Sequence, residues 1–345
     1  MKAARLHAFH EALALEDVPD PQITSPMDVI VRIGAAGLCR TDLHIWEGQF
    51  DEAQKEAQLS LPYSPGHENA GWVEAVGEAV TNVAPGDKVI LHPLVTCGLC
   101  RACRAGDDVH CENSSFPGLF AEGGFAQYLK TGARSVIKMD PSLEPTDVAP
   151  LADAGLTAYH AVRKAVPLLF PGTRVAVIGA GGLGHIGIQC LKAMVPAEII
   201  VLDVNEQALE LAKEWGADHT VKVDGDQVGK VLDLTDGKGA EVVLDFVGES
   251  GAEHWGVDVL RRAGSFFVVG YGGELSVPTM RIILNEINFI GNLVGSYNDL
   301  VELMTLAAQG KVRLHTTTYP LDEINQAIDD LDHGRLRGSC PDPPG

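Results

Sequence analysis

The sequence predicts an α/β protein in two parts, a β-rich domain followed by a doubly wound parallel sheet. Three observations carry this reading. Up to about residue 150 the chain breaks into short alternating apolar runs, punctuated by Gly and Pro roughly every ten residues, which is the pattern of half-buried strands and turns. From Thr173 onward, longer apolar runs alternate with helical segments, the rhythm of βαβ units. At the head of that second region a strand runs straight into a glycine-rich hexapeptide.

Composition bounds what such a chain does. Its 345 residues suffice for two domains, and 46% hydrophobic content with dispersed charge supports packed cores. Acids outnumber bases 47 to 26, a net charge of -21 that repels nucleic acid and anionic membranes. No run reaches the roughly 18 uncharged apolar residues of a membrane helix. The opening "MKAARLHAFHEALALEDVPDP" lacks the apolar core and small-residue cleavage site of a signal peptide. A cytoplasmic setting is expected.

The strands of the first part are read from "DVIVRIGAAG", "GWVEAVGEAV", "GDKVILHPL" and "GGFAQYLK". Directly after the first of them, "GLCRTDLHIW" crowds a thiol, a guanidinium, a hydroxyl, a carboxylate and an imidazole into ten residues. By itself that stretch reads more readily as an ordinary polar loop than as a functional site. Four of the seven cysteines then cluster in "CGLCRACRAGDDVHC", as Cys97, Cys100, Cys103 and Cys111. An odd total in a reducing compartment argues against disulfides. Two C-x-x-C steps and a fourth cysteine eight residues on can present four thiolates tetrahedrally, with glycines at 98 and 106 easing the turns. Such a set holds structural zinc or an iron–sulfur cluster, or stays as free thiols; the rest of the chain favours zinc.

In the second part the strand Val175–Ile178 meets Gly179-Ala180-Gly181-Gly182-Leu183-Gly184, and apolar residues then recur at helical spacing (Leu183, Ile186, Cys190, Leu191, Met194). A second strand, "EIIVLD", ends in Asp203, 19 residues past Gly184. Strand, glycine loop, helix, strand and terminal acid form the context of a dinucleotide site. The glycines let the backbone approach a pyrophosphate at a helix N-terminus, and the acid takes a ribose hydroxyl pair. A carboxylate at 203 repels a 2′-phosphate, and the following "VNEQ" offers no cation to accept one, so NAD is expected over NADP. Further on, "GAEVVLDFVGE" and "SFFVVGYGG" continue the strand pattern, and no internal repeat appears.

Dispersed through the chain are Cys39, His67 in "GHENAG", and Asp153 in "PLADAGLTAYHAV". One sulfur, one nitrogen and one oxygen ligand with a fourth position open is the arrangement of catalytic zinc. Their separation in sequence leaves this undecided, because a lone histidine or aspartate is commonly a hydrogen-bonded or solvated side chain.

Taken together, "GLCRTDLH", "GHENAG", the four-cysteine lobe, "DAGLTAYHA", "GAGGLG" and "LDFVG" resemble the zinc-dependent medium-chain alcohol dehydrogenases, in order and over essentially the whole chain. The resemblance implies a GroES-like catalytic domain over residues 1–150 with its zinc lobe at about 92–113, a dinucleotide-binding domain over 151–294, and a return to the catalytic domain over 295–345. It implies NAD-linked oxidation of primary or secondary alcohols, and reduction of aldehydes or ketones in reverse. Polyol or amino-alcohol oxidation is the alternative within the same superfamily. Two zinc ions per subunit are expected, a catalytic one on Cys39, His67 and Asp153 and a structural one on the four-cysteine lobe. Glu68 matches the acid beside the catalytic ion, and Asp42 the acid that orients a zinc-bound histidine. Thr41 resembles a hydroxyl that relays the substrate proton, by way of the cofactor ribose, to His44. Arg40 matches a pyrophosphate contact, and Thr157 the start of the nicotinamide pocket. Val247, Gly270, Leu293 and Val294 complete the cofactor-binding set. A homodimer or homotetramer with a small-molecule substrate is implied.

Two features sit outside the pattern. The family closes on a strand with a second pyrophosphate arginine, whereas this chain ends "HGRLRGSCPDPPG", with Ser339 at that place and prolines where the strand would run. The tail is therefore expected to fray, with Arg337 as the available substitute. Candidate lining residues of the substrate pocket are Trp46, His92, Leu94, Phe116 and Leu119, all of types equally at home in a core.

Overall fold

The computed structural model describes residues 1–335 and the backbone of 339–342. The chain forms two compact units. The first comprises Met1–Ala154, Ser296–Ala308 and the chain from Arg313; the second comprises Gly155–Gly295 and Gln309–Val312.

The first unit opens on an antiparallel pair, β1 (Lys2–Arg5) and β2 (Ala14–Asp17). Its main sheet contains β3 (Asp28–Gly37), β4 (Glu68–Val76), β5 (Lys88–Leu91), β6 (Tyr128–Gly132) and β7 (Val136–Lys138), in the order β6-β3-β4-β5-β7. β3 is buried along nearly its whole length, and its pairing with β4 carries two irregularities. Arg32, its exposed member, lays its guanidinium 4.5 Å from the ring centre of Trp72 on β4. The β3–β4 register ends with Gly37 opposite Glu68. That pairing sets the chain just after β3, which holds Cys39, beside His67 just before β4.

The unit's core joins Leu6, Val31, Ile33, Tyr63, Val89, Phe125 and Leu129 to Leu321, Ile324 and Ala327 from the far end of the chain. Near that end a further parallel pair forms after the strands of the second unit, and its members are β14 and β15 below.

The second unit is a six-stranded parallel sheet of β8 (Arg174–Ile178), β9 (Glu198–Asp203), β10 (His219–Lys222), β11 (Ala240–Asp245), β12 (Leu260–Val268) and β13 (Asn288–Gly291). Its order is β10-β9-β8-β11-β12-β13. Renumbered from its own first strand this is 3-2-1-4-5-6, the doubly wound order with its switch point between β8 and β11. Val175, Ala176 and Val177 are buried without interruption, as expected where helices cover both faces of a parallel sheet. The glycine-rich hexapeptide leaves β8 and enters the helix Gly184–Met194, so Leu183 is its N-cap rather than part of its apolar face.

The expectation of a frayed tail is corrected. β14 (Thr317–Pro320) and β15 (Ser339–Asp342) pair in parallel, with Tyr319 opposite Pro341. A two-stranded sheet consists of edges, the setting in which proline is tolerated. Arg337 lies outside the described residues. Among the described residues no helix is long and apolar enough to cross a membrane.

Candidate active site

The stretch Gly37–Trp46 is a helix start. Residues Arg40–Trp46 are helical, and Cys39 is the N-cap: its sulfur accepts the Thr41 N–H at 3.3 Å, while the Asp42 carboxylate accepts the Cys39 N–H at 3.0 Å. This reciprocal capping box fixes the Cys39 side chain through two backbone groups. It aims the sulfur at His67, whose Nε2 lies 3.2 Å away. The same nitrogen lies 3.3 Å from Asp153 Oδ2. On the other side of the ring, Nδ1 faces Asp42 Oδ1 at 3.3 Å. That contact has ion-pair rather than hydrogen-bond geometry, and Asp42 Oδ1, His67 Nδ1 and Asp153 Oδ1 are all buried without a hydrogen bond.

Sulfur, imidazole nitrogen and carboxylate therefore converge, and Glu68 completes a group whose ligand atoms all lie within 4.8 Å of one another. Zinc bonds of about 2.0–2.3 Å at tetrahedral angles separate donor atoms by a little over 3 Å. The spacing of Cys39 Sγ, His67 Nε2 and Asp153 Oδ2, and the buried Asp153 Oδ1 left without a hydrogen bond, fit that ion. The electrostatics agree. Burial pushes the Cys39 thiol up to about 11, with His67 acting against it. Burial acts to lower the basicity of His67, but Asp42, Cys39 and Asp153 outweigh it and raise it well above the ordinary value. Burial likewise raises the Glu68 carboxyl to about 8, opposed by His67. A dication amid these donors would compensate the burial of the thiolate and the acids.

Glu68 owes its place to two neighbours that the sequence reading did not single out. Its Oε1 accepts the Ala154 N–H at 2.7 Å. Its Oε2 fills the space over Gly37, where a Cβ would fall 1.9 Å from it. Phe116 stands edge-on to His67, with ring centres 5.9 Å apart and planes at 83°. Of the other candidate lining residues, Trp46 donates its indole N–H to the Glu11 carbonyl and meets His10 edge-on. Leu94 and Leu119 are buried, and the Leu94 carbonyl accepts from Ser135 and faces His92 Nδ1. Thr41 and His44 are three apart on one helix, hence on a shared face, and both are half-buried; Arg40 is exposed.

The cysteine lobe forms a second cluster, its four sulfurs within 4.8 Å of one another. Gly98 and Gly106 adopt φ of 70° and 77°, where other residues are strained. Cys97 Sγ accepts N–H groups from Leu99 and Cys100, and Cys111 Sγ accepts from Cys97 and Asn113, at 3.3–3.4 Å. The Leu99 and Cys100 N–H groups lower the Cys97 thiol to about 6. Burial pushes the Cys103 thiol up to about 12. Four convergent sulfurs fed by backbone donors fit a closed structural zinc site.

In the second unit, Gly179 has φ 89°, and a Cβ on Gly184 would fall 1.9 Å from the Gly179 carbonyl, so the loop folds tightly onto the helix start. Gly181 and Gly182 are exposed and face open space. Asp203 lies beside them: its Oδ2 accepts the Ala180 N–H and its Oδ1 the Asn205 N–H, each at 2.7 Å. At the end of β11 the buried Asp245 accepts the N–H groups of Val247 and Gly248, and its carbonyl accepts those of Val269 and Gly270. Asp245 thus ties together two turns that carry predicted cofactor contacts; an acid two residues ahead of Val247 was the legible signal. Thr157 lies in the helix Ala154–Ala165. Leu293 is exposed, whereas Val294 is buried with φ 45°, a strained value for a β-branched residue.

Comparison with known proteins agrees with this geometry. Residues 25–141 match the alcohol dehydrogenase GroES-like domain, and residues 182–309 match the zinc-binding dehydrogenase domain. An NAD-dependent alcohol dehydrogenase of Sulfurisphaera tokodaii is 37% identical over 344 residues, covering 98% of each chain. A D-arabinose 1-dehydrogenase (NADP+) of Saccharolobus solfataricus is also 37% identical, covering 98% of this chain and 96% of its own. The crystal structure of an alcohol dehydrogenase from Aeropyrum pernix superposes with a TM-score of 0.94 at 49% identity, over 99% of this chain and 100% of that one. With its capped cysteine, its convergent donors and its doubly wound sheet, the chain belongs to the zinc-dependent medium-chain alcohol dehydrogenase family.

Proposed function

We propose that this protein oxidises primary or secondary alcohols to aldehydes or ketones with NAD as hydride acceptor, and catalyses the reverse reduction. The observation that carries the reading is the convergence of Cys39 Sγ and Asp153 Oδ2 on His67 Nε2. Those three residues would hold the catalytic zinc, and the four lobe cysteines a second, structural zinc. When bound, the catalytic ion supplies Lewis acidity that makes an alcohol hydroxyl easier to deprotonate. The Thr41 hydroxyl would accept that proton as it gives up its own, and His44, one turn on, would take the relayed proton and release it toward solvent. Asp42 holds the His67 ring from behind, and Glu68 adds a carboxylate beside the donor set. The loop Gly179–Gly184 offers backbone N–H groups to a pyrophosphate, and Asp203 disfavours a 2′-phosphate. Thr157, Val247, Gly270, Leu293 and Val294 would border the nicotinamide, and Arg40 the pyrophosphate.

The D-arabinose dehydrogenase relative favours a second reading, oxidation of a sugar or polyol hydroxyl by the same residues. Initial rates for primary, secondary and aromatic alcohols and for aldoses, each with NAD and NADP, decide between the two. Turnover of simple alcohols with NAD supports the first reading. Activity confined to aldoses replaces it with the second.

A homodimer or homotetramer is supported by the exposed apolar side chains of Met280, Ile283 and Leu284 in the helix that leads to the edge strand β13. Sedimentation measures that state. The unpaired thiols of the described cysteines suit a reducing cytoplasm.

A further inference from the structure

Gln54 lies in the short helix Asp51–Glu56 and is only 4% exposed. A buried amide needs partners for its N–H groups. Its Nε2 donates to Tyr63 Oη at 2.7 Å and to the Leu119 carbonyl at 2.9 Å, so both hydrogens are committed. Leu119 belongs to a single tight turn: the Leu119 and Phe120 N–H groups both donate to the Phe116 carbonyl, at 3.1 and 2.7 Å. That turn is suspended between two backbone anchorages. On one side Ser115 exchanges hydrogen bonds with Val95; on the other the Gly123, Gly124 and Phe125 N–H groups donate to the Ser64, Gly66 and Pro65 carbonyls. Gln54 pins the turn between them, and the turn carries the Phe116 ring that stands edge-on to His67.

We propose that Gln54 is a positioning residue for substrate selectivity, its amide setting how far the Phe116 ring intrudes beside the Cys39, His67 and Asp153 donors. This inference rests on the reading that the reacting alcohol lies at those donors. The two hydrogen bonds have different jobs. The bond to Leu119 reaches Phe116 through the turn, whereas the bond to Tyr63 ties the helix to the core.

Gln54→Met keeps length and volume but removes both donors. It is expected to raise the kcat/KM of cyclohexanol relative to ethanol by about tenfold, the scale on which pocket shape discriminates small apolar groups, with zinc content unchanged. Tyr63→Phe removes only the hydroxyl acceptor and leaves the Leu119 carbonyl, and is expected to lower thermal stability and leave that ratio unchanged. A merely structural amide would lower stability in both variants and shift the ratio in neither; that result overturns the proposal. If Gln54→Met does not fold, Gln54→Asn, shorter by one methylene, must move the ratio in the same direction, and an unchanged ratio there also overturns it. Phe116→Ala separates the layers. A shifted ratio in Phe116→Ala with none in the Gln54 variant rejects the clamp alone, while no shift in either removes Phe116 from the pocket as well. A wild-type enzyme inactive on every alcohol rejects the proposed function, and the clamp falls with it.

Discussion

Asp42 and His67 face each other across 3.3 Å, carboxylate oxygen to ring nitrogen, while the other oxygen of Asp42 caps the helix that begins at Cys39. One carboxylate thus orients two of the three donors. In Asp42→Asn the amide oxygen is needed by the Cys39 N–H, so the NH2 group must face His67 Nδ1. That nitrogen is forced to accept, which puts the ring proton on Nε2 and blocks it as a ligand. The substitution should weaken the catalytic ion by about 10–100-fold, the usual consequence of losing a ligand's supporting partner. The cysteine lobe serves as internal control in a chelator titration. Loss of both ions in parallel, or of neither, contradicts the assignment.

Gly37 and Glu68 share one volume. A methyl at 37 would displace the carboxylate from its place and from the Ala154 N–H. Gly37→Ala should cost about 1–3 kcal/mol in urea unfolding, as overpacking of a buried site does. In a double-mutant cycle with Glu68→Ala the two losses should fall short of additivity; strict additivity would show that the clash is relieved elsewhere.

The proton path is tested at Thr41 and His44. Thr41→Val should retain both zinc ions and NAD affinity yet slow alcohol oxidation by about 10²–10⁴-fold. His44→Gln should be milder, and partial recovery at high pH is expected in both. Near-normal turnover of Thr41→Val with a full deuterium isotope effect removes the hydroxyl from the path.

Asp203 combines a charge with two backbone hydrogen bonds, so its roles need separating. Asp203→Asn removes the charge and keeps an acceptor; Asp203→Gly also frees the Ala180 N–H of the glycine loop. Both should narrow the preference for NAD over NADP, and the glycine variant, which loses both backbone hydrogen bonds where asparagine can keep one, should weaken NAD more. Equal use of NAD and NADP by the wild-type enzyme would falsify the premise.

Asp245 makes a pH prediction. Burial raises its carboxyl above the ordinary 3.8, the Gly248 and Val247 N–H groups oppose this, and nearby Glu253 adds to it. A folded pKa above the unfolded one means that the folded chain binds more protons between the two values. This contribution to stability is full below the unfolded pKa and is lost as pH rises through the folded one. Asp245→Asn should flatten that part of the stability–pH curve. A slope unchanged from wild type assigns the dependence to other groups.

Much of this architecture is legible in the residues. The strands Asp28–Gly37 and Glu198–Asp203 coincide with the runs "DVIVRIGAAG" and "EIIVLD", because glycine and acid punctuation marks where a buried apolar run must stop. Cys97, Cys100, Cys103 and Cys111 converge as expected, since local spacing alone can close a knuckle. The helix Arg40–Trp46 was not legible as a helix. Seven residues carry too little apolar periodicity, and its N-cap is a cysteine rather than the usual hydroxyl or amide. Nor could spacing bring Cys39 to His67, which depends on the β3–β4 register. The strand at Ser339–Asp342 was hidden by proline, whose penalty presumes a sheet interior that a two-stranded ladder does not have. Gln54 gave no signal, because a single amide reads as surface until its burial is known.

The division of the chain also orders its synthesis. Most of the second unit is one uninterrupted run, Gly155–Gly295, whereas the core of the first unit needs Leu321, Ile324 and Ala327. On the ribosome the parallel sheet can therefore close while the earlier-made half, already fully emerged, still lacks one wall. The usual sequence in which N-terminal domains finish first is inverted. Until that segment arrives, the cluster that Leu321, Ile324 and Ala327 complete keeps part of its apolar surface uncovered. Nascent chains stalled short of Leu321 should accordingly be captured by chaperones through their first 154 residues, while the nucleotide-binding half already resists protease.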